Sequence, residues 1–279
     1  MAIFGFLDRA HSVAGPGYSR WLVPPAALAI HLSIGQVYAF SVFKLPLTRI
    51  LGVSAPAAGD WTQFQIAGVF SIAIAVLGAS AAVFGRWLEE AGPRKAMFAS
   101  ACCFGGGFLV AAVGVATHQL WLVYLGYGVL GGIGLGLGYI SPVSTLIKWF
   151  ADRPGMATGL AIMGFGGGAM IGAPLSNRLM AHFATPTDTG VAGAFVAMGA
   201  LYFAFMMFGV FTVRVPPPGW TPPGHAAAAA AARPRPMVTT RNIPVADAWR
   251  TPQFWLLWVV LCANVTAGIG LLEQASPMI

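Results

Sequence analysis

The chain has 279 residues, 57% of them apolar and only 8% charged, roughly a third of the charged share of a soluble domain. So little ionic surface cannot keep this much apolar material in water, which excludes a soluble globule or soluble enzyme. Phe 19 and Trp 9 exclude a disordered chain, and the net charge of +7 is scattered singly between apolar runs, with no basic patch for nucleic acid.

An integral membrane protein remains, with the lipid bilayer as its first partner. Asp8, Arg9, His11 and Arg20 interrupt the first twenty residues, so no cleaved signal peptide is read there. Charge-free stretches long enough to cross a hydrocarbon core fall at about 21–43, 62–84, 96–116, 120–147, 156–177, 190–213 and 254–279, the last containing Glu273. Arg and Lys gather in alternate segments. Arg9 and Arg20 precede the first span, Arg86, Arg94 and Lys95 follow the second, Lys148 and Arg153 the fourth, and five arginines the sixth. The other connections hold only Lys44, Arg49 and Arg178. The positive-inside rule puts the N-terminus on the cytoplasmic side of an inner (plasma) membrane.

Four segments follow: a cytoplasmic N-terminus (1–20), a six-helix bundle (21–213), a Pro/Ala/Arg-rich cytoplasmic linker (214–252) and a further transmembrane helix (253–279). Prolines and a run of alanines at 226–232 make the linker a mobile loop with a short helix around 245–249. The last span ends without a basic flank, so the architecture predicts a truncated second bundle.

Span 1 carries His31-x-x-x-Gly35-x-x-Tyr38 and span 4 carries Gly132-x-x-x-Gly136-x-x-Tyr139. That match is what two inverted three-helix repeats would produce, with helices 1 and 4 equivalent; chance is the other reading, glycine being common in membrane helices. In span 5, Gly164, Gly168 and Gly172 recur every four residues and form a face that lets a neighbouring helix come close. Pro142 and Pro174 are sites where helices 4 and 5 can bend.

Between spans 2 and 3 the chain reads Gly85-Arg-Trp-Leu-Glu89-Glu90-Ala-Gly92-Pro93-Arg94-Lys95, which resembles the loop signature of the major facilitator superfamily. Gly35-Gln36-Val37-Tyr38-Ala39-Phe40, Gly138-Tyr139-Ile140, Lys148-Trp149-Phe150, Asp152-Arg153 and Thr251-Pro252-Gln253-Phe254-Trp255 are similar to the oxalate/formate antiporter family within it. The resemblance implies an all-α fold of two six-helix halves, a site between them, alternating access by rocking, and a small-carboxylate substrate. It also implies that the carboxylate-binding cations belong to the second half, which would be required for a complete site; spans 1 to 6 hold no Lys or Arg in their cores. Gly85, Glu89, Gly92 and Arg94 become gating-loop residues, with Glu89-Glu90 standing where the family has Asp-Arg. That departure puts in doubt any lock that uses the family's arginine.

His31 lies about ten residues into span 1, near mid-membrane. With Gly35 and Tyr38 it makes a stripe at i, i+4 and i+7 that can face a cavity. It either serves a substrate carboxylate or bonds to a neighbouring helix. Tyr38 and Tyr139 offer uncharged donors and aromatic walls for a substrate cavity. Gln36 points about 140° from His31 and is open to either role. Glu273 is a candidate coupling carboxylate or an extracellular edge residue. Nothing in the spans has the spacing of a catalytic or metal constellation, and no cofactor is implied. The function read is secondary transport of small mono- or dicarboxylates. The alternative is a membrane scaffold or half-transporter that pairs with another chain.

Overall fold

The computed structural model describes residues 5–223 and 243–274. Among them, 7 helices are long and apolar enough to cross a membrane, and no extended strand occurs. They are α1 (Arg20–Ala39), α2 (Gln63–Ala91), α3 (Pro93–Ala116), α4 (Leu120–Trp149), α5 (Pro154–Phe183) and α6 (Val191–Thr212), then α7 (Pro252–Gln274). The linker's short helix is Val245–Ala248; residues 224–242, which include the alanine run, lie outside the described residues.

Several helices run past their charge-free windows. A capping box opens α2: the Gln65 amide donates to Thr62 Oγ1 at 3.3 Å, and the Thr62 amide donates to Gln65 Oε1 at 2.9 Å. Its far end continues through Gly85 and Glu89, which the sequence reading places in a loop. Nothing from Gly85 to Ala91 breaks a helix, and buried Leu88 keeps the apolar period. Gly92 ends it, because its φ of +88° is open to glycine and costly for other residues. Pro93 then starts α3 at once. Likewise α5 continues through Arg178 to Phe183.

Two spans depart from α winding. α1 is α-helical over Val23–Ile34 and tightens to 3₁₀ over Gly35–Ala39. A further helical stretch, Ser41–Leu47, then extends it beyond the expected end, so Lys44 sits on a helix, buried, rather than in a loop. α4 loosens to π winding over Tyr124–Leu130 before resuming at Gly131.

The packing repeats itself. α1 lies on α5 as α4 lies on α2, and α1 meets α6 as α4 meets α3, while α3 and α6 pair with each other. Exchanging 1 with 4, 2 with 5 and 3 with 6 leaves this pattern unchanged, as two inverted three-helix repeats require. At the α1–α5 crossing a Cβ on Gly35 would overlap the Phe165 carbonyl, and one on Gly168 would overlap Leu32 and Gly35 backbone. The equivalent crossing has Gly132 and Gly136 against the Ala73 and Leu77 carbonyls of α2. Serines tie α4 to its neighbours: Ser100 Oγ donates to the Gly134 carbonyl at 2.6 Å, and Ser80 Oγ to that of Gly132 at 3.4 Å. α7 touches Gly35–Ala39 and Ser41–Leu47 and is otherwise exposed.

At the end of the bundle that carries the N-terminal segment, charged groups are paired. Arg20 grips Asp152 through two hydrogen bonds, 2.7 and 3.0 Å, and also donates to the Trp149 carbonyl at 3.3 Å. Arg94, buried in the first turn of α3, donates to the carbonyls of Phe6 at 2.7 Å and of Val213, just past α6, at 3.3 Å. Lys95 pairs with Asp8 at 2.7 Å. Val215 exchanges backbone hydrogen bonds with Ser12 and Ala14, 2.7 and 2.9 Å.

Two predictions follow from these contacts. Gly168→Leu forces α5 off α1 and costs more than the ~1–3 kcal/mol of ordinary overpacking; the variant is expected to lose its monodisperse peak on size-exclusion chromatography in detergent. The Arg20 hydrogen bonds hold the Asp152 carboxyl below the usual carboxylate range. Its stabilisation is therefore present at neutral pH and is lost as pH falls through that depressed value. Asp152→Asn should lower the melting temperature at pH 7, by the equivalent of up to about 1 kcal/mol. The difference from the parent should close in acid, once pH has fallen below that depressed value.

Candidate functional site

Because Gly35 lies directly against the α5 backbone, the side chains beside it project along the two flanks of the crossing. On one flank His31, Tyr38 and Tyr139 converge, and what they converge on is Phe165 of α5. The Phe165 ring meets Tyr38 edge-on at 5.1 Å and Tyr139 edge-on at 5.0 Å, with His31 at 6.5 Å. Offset and edge-on pairs of this kind are the favoured aromatic geometry. Three spans, α1, α4 and α5, thus contribute to one aromatic cluster.

Its members differ in exposure. His31 is fully buried, its Cβ against Gly164. Its Nε2 bonds to the Tyr139 carbonyl at 3.2 Å, and Nδ1 is buried without a hydrogen bond of normal geometry. His31 thus bridges α1 to α4. Tyr38 is half-buried, and Tyr139 is 38% exposed. From Tyr139 an open groove of about 370 Å³ follows α4 past Ile140, Val143, Ser144 and Ile147 to Lys148. The cluster therefore offers uncharged phenols and apolar walls at mid-span, and one lysine at the end of the groove.

Gln36 stands on the other flank. Its side chain rests on Gly172, and Tyr127 Oη donates to its Oε1 at 3.3 Å. Gly164, Gly168 and Gly172 all face α1, and Gly132 and Gly136 face α2. The signature residues lie apart from the cluster. Gly85 and Glu89 are in the last turns of α2, with the Glu89 carbonyl accepting from Arg9 at 3.3 Å. Gly92 is the joint, and Arg94 ties the N-terminal segment to the end of α6. Exposed Glu90 pairs with Arg86 at 3.0 Å. Glu273 falls in the last turn of α7, and its side chain lies outside what the structure describes.

Sequence reasoning missed three elements of this arrangement. Phe165 is one of 19 phenylalanines, and only the glycines at 164 and 168 mark its turn of helix as a contact. The Arg20–Asp152 pair had a usable signal, since alternating topology puts both residues on the same side of the membrane. Lys44 was counted with a loop because the charge-free window ended before it. Among the described residues no group of His, Cys, Asp or Glu could hold a metal ion.

The family model described as Major Facilitator Superfamily matches residues 26–278. The chain is 26% identical over 257 residues to the uncharacterized MFS-type transporter YhjX of Escherichia coli (strain K12), spanning 92% of this chain and 57% of that protein. It is 24% identical over 261 residues to the oxalate:formate antiporter of Oxalobacter formigenes, spanning 93% and 55%. Against monocarboxylate transporter 11 of Homo sapiens it is 29% identical over 215 residues, spanning 75% and 41%. The chain spans about half the length of these relatives.

Proposed function

The chain belongs to the major facilitator superfamily, and from that premise we propose that it is the first half, with the opening helix of the second, of an exchanger of small organic carboxylates. The observation that carries this reading is the placing of Tyr38 and Tyr139. They are equivalent positions of the two repeats, and both phenols stand on one ring, Phe165, at mid-span. A phenol can donate to a carboxylate without the cost of burying a charge in the membrane. Two relatives, 24% and 29% identical to this chain, are named for oxalate and formate or for monocarboxylates, which supports the substrate class.

Alternating access then moves the six-helix bundle against the second half, with the charge that neutralises the substrate supplied from that half. The bundle end that carries Arg20, Arg94 and Lys148 faces the cytoplasm of an inner membrane, as the arginine and lysine distribution favours. Lys148, at that end of the α4 groove, draws anions toward the phenols.

Counterflow of labelled oxalate, formate and pyruvate into liposomes holding the full-length protein tests this. Exchange is expected for at least one of them, and Tyr38→Phe with Tyr139→Phe should slow it by about tenfold or more, as loss of two substrate hydrogen bonds requires. Absence of flux in a folded protein, with intact binding to another membrane chain, would make it a scaffold instead.

A further inference from the structure

The two stretches that leave α winding meet each other. They are Gly35–Ala39 of α1 and Tyr124–Leu130 of α4, on the two helices that the repeat makes equivalent. Their contact is the hydrogen bond from Tyr127 Oη to Gln36 Oε1 at 3.3 Å, backed by the Tyr127 ring 4.7 Å from Phe40. Gln36 is fully buried and Tyr127 nearly so. On its far side the Gln36 chain is held by Gly172, where a Cβ would come within 2.9 Å of Gln36 Cγ. Gln36 Nε2 has no partner among the described residues.

An amide buried for a single hydrogen bond is a poor packing residue. The unpaired Nε2 costs stability that a methionine of similar volume would not. What the amide does provide is a directional hold on the 3₁₀ stretch from the α4 side, opposite the α5 backbone. That hold matters two residues later. A 3₁₀ turn advances about 120° per residue against 100° in an α-helix, so across three residues Tyr38 stands about 60° from where α winding would put it. In that position its ring meets Phe165, beside Tyr139. α7 touches this stretch as well as Ser41–Leu47.

We propose that Gln36 and Tyr127 form a positioning clamp that keeps α1 in 3₁₀ winding and so sets where the Tyr38 phenol stands. Both act through Tyr38 and neither contacts substrate. The transport consequence rests on the reading of Tyr38 as a substrate donor; the clamp itself does not.

The test uses the full-length protein with Cys102→Ala, Cys103→Ala, Cys262→Ala and Tyr38→Cys, and reads the rate at which a soluble maleimide labels the thiol at position 38. Tyr127→Phe, which removes only the hydroxyl, should change that rate by about fivefold, the factor of one buried hydrogen bond. Gln36→Met should do the same, and the two together no more than either. With Tyr38 in place, each substitution should raise KM for the exchanged carboxylate by a similar factor and leave kcat nearly unchanged, while Gln36→Glu, which keeps the acceptor oxygen, should restore it. Unchanged labelling in folded variants overturns the clamp, as does failure of both Tyr127→Phe and Gln36→Met to fold, which would make the pair structural only. Altered labelling in a protein whose parent exchanges no carboxylate upholds the clamp and removes the transport reading.

Discussion

Helices already inside a bilayer gain nothing from the hydrophobic effect by touching one another, so the distance at which their backbones meet decides how firmly they hold. Here that distance is set by hydrogen atoms in place of side chains. Gly35 and Gly168 bring α1 onto α5, and Gly132 and Gly136 bring α4 onto α2. With backbones this close, whatever stands next to the contact is pushed to one flank or the other. His31, Tyr38 and Tyr139 collect around Phe165 on one flank, and Gln36 meets Tyr127 on the other. The candidate site is thus a by-product of how the bundle is fastened.

The N-terminal segment does at the bundle's end what glycines do in its middle. Arg94 places its guanidinium against the Val213 carbonyl, where α6 leaves backbone acceptors unsatisfied and its dipole is negative. The same side chain reaches the Phe6 carbonyl, and Lys95 beside it takes Asp8. Arg94, which the family resemblance assigns to gating, is here with Lys95 also a fastening for the N-terminal segment. The Arg20–Asp152 pair fixes the start of α1 to the connection between α4 and α5, in the other repeat.

Much of this was legible in the sequence because the bilayer imposes a coarse code. Apolar length located all seven spans, the four-residue glycine spacing located the face of α5 that meets α1, and the shared Gly-x-x-Tyr pattern marked the helices that the packing shows to be equivalent. Helix ends were less legible. A charge-free window stops at the first ionic residue, whereas a helix stops where the backbone must: α2 runs through Arg86 and Glu89 to Gly92, and α5 passes Arg178. Local winding left no trace in composition, since nothing in Gly35–Ala39 or Tyr124–Leu130 marks them as 3₁₀ or π. The meeting of Gln36 with Tyr127 is a long-range fact of packing. Phe165 was hidden for a related reason, being a common residue whose importance lies wholly in its neighbours.

The backbone exchange of Val215 with Ser12 and Ala14 changes where the bundle can be pulled. A load arriving along the chain from α7 does not act first on the last turn of α6. It meets Trp220 first, whose ring packs edge-on against Trp149 of α4 at 4.7 Å, and then the two hydrogen bonds at Val215, which run across the direction of the chain and share a load in shear with the N-terminal segment. A pull from α7 is therefore shared between α4 and the N-terminal segment, and the span toward α7 is measured from Trp220 onward.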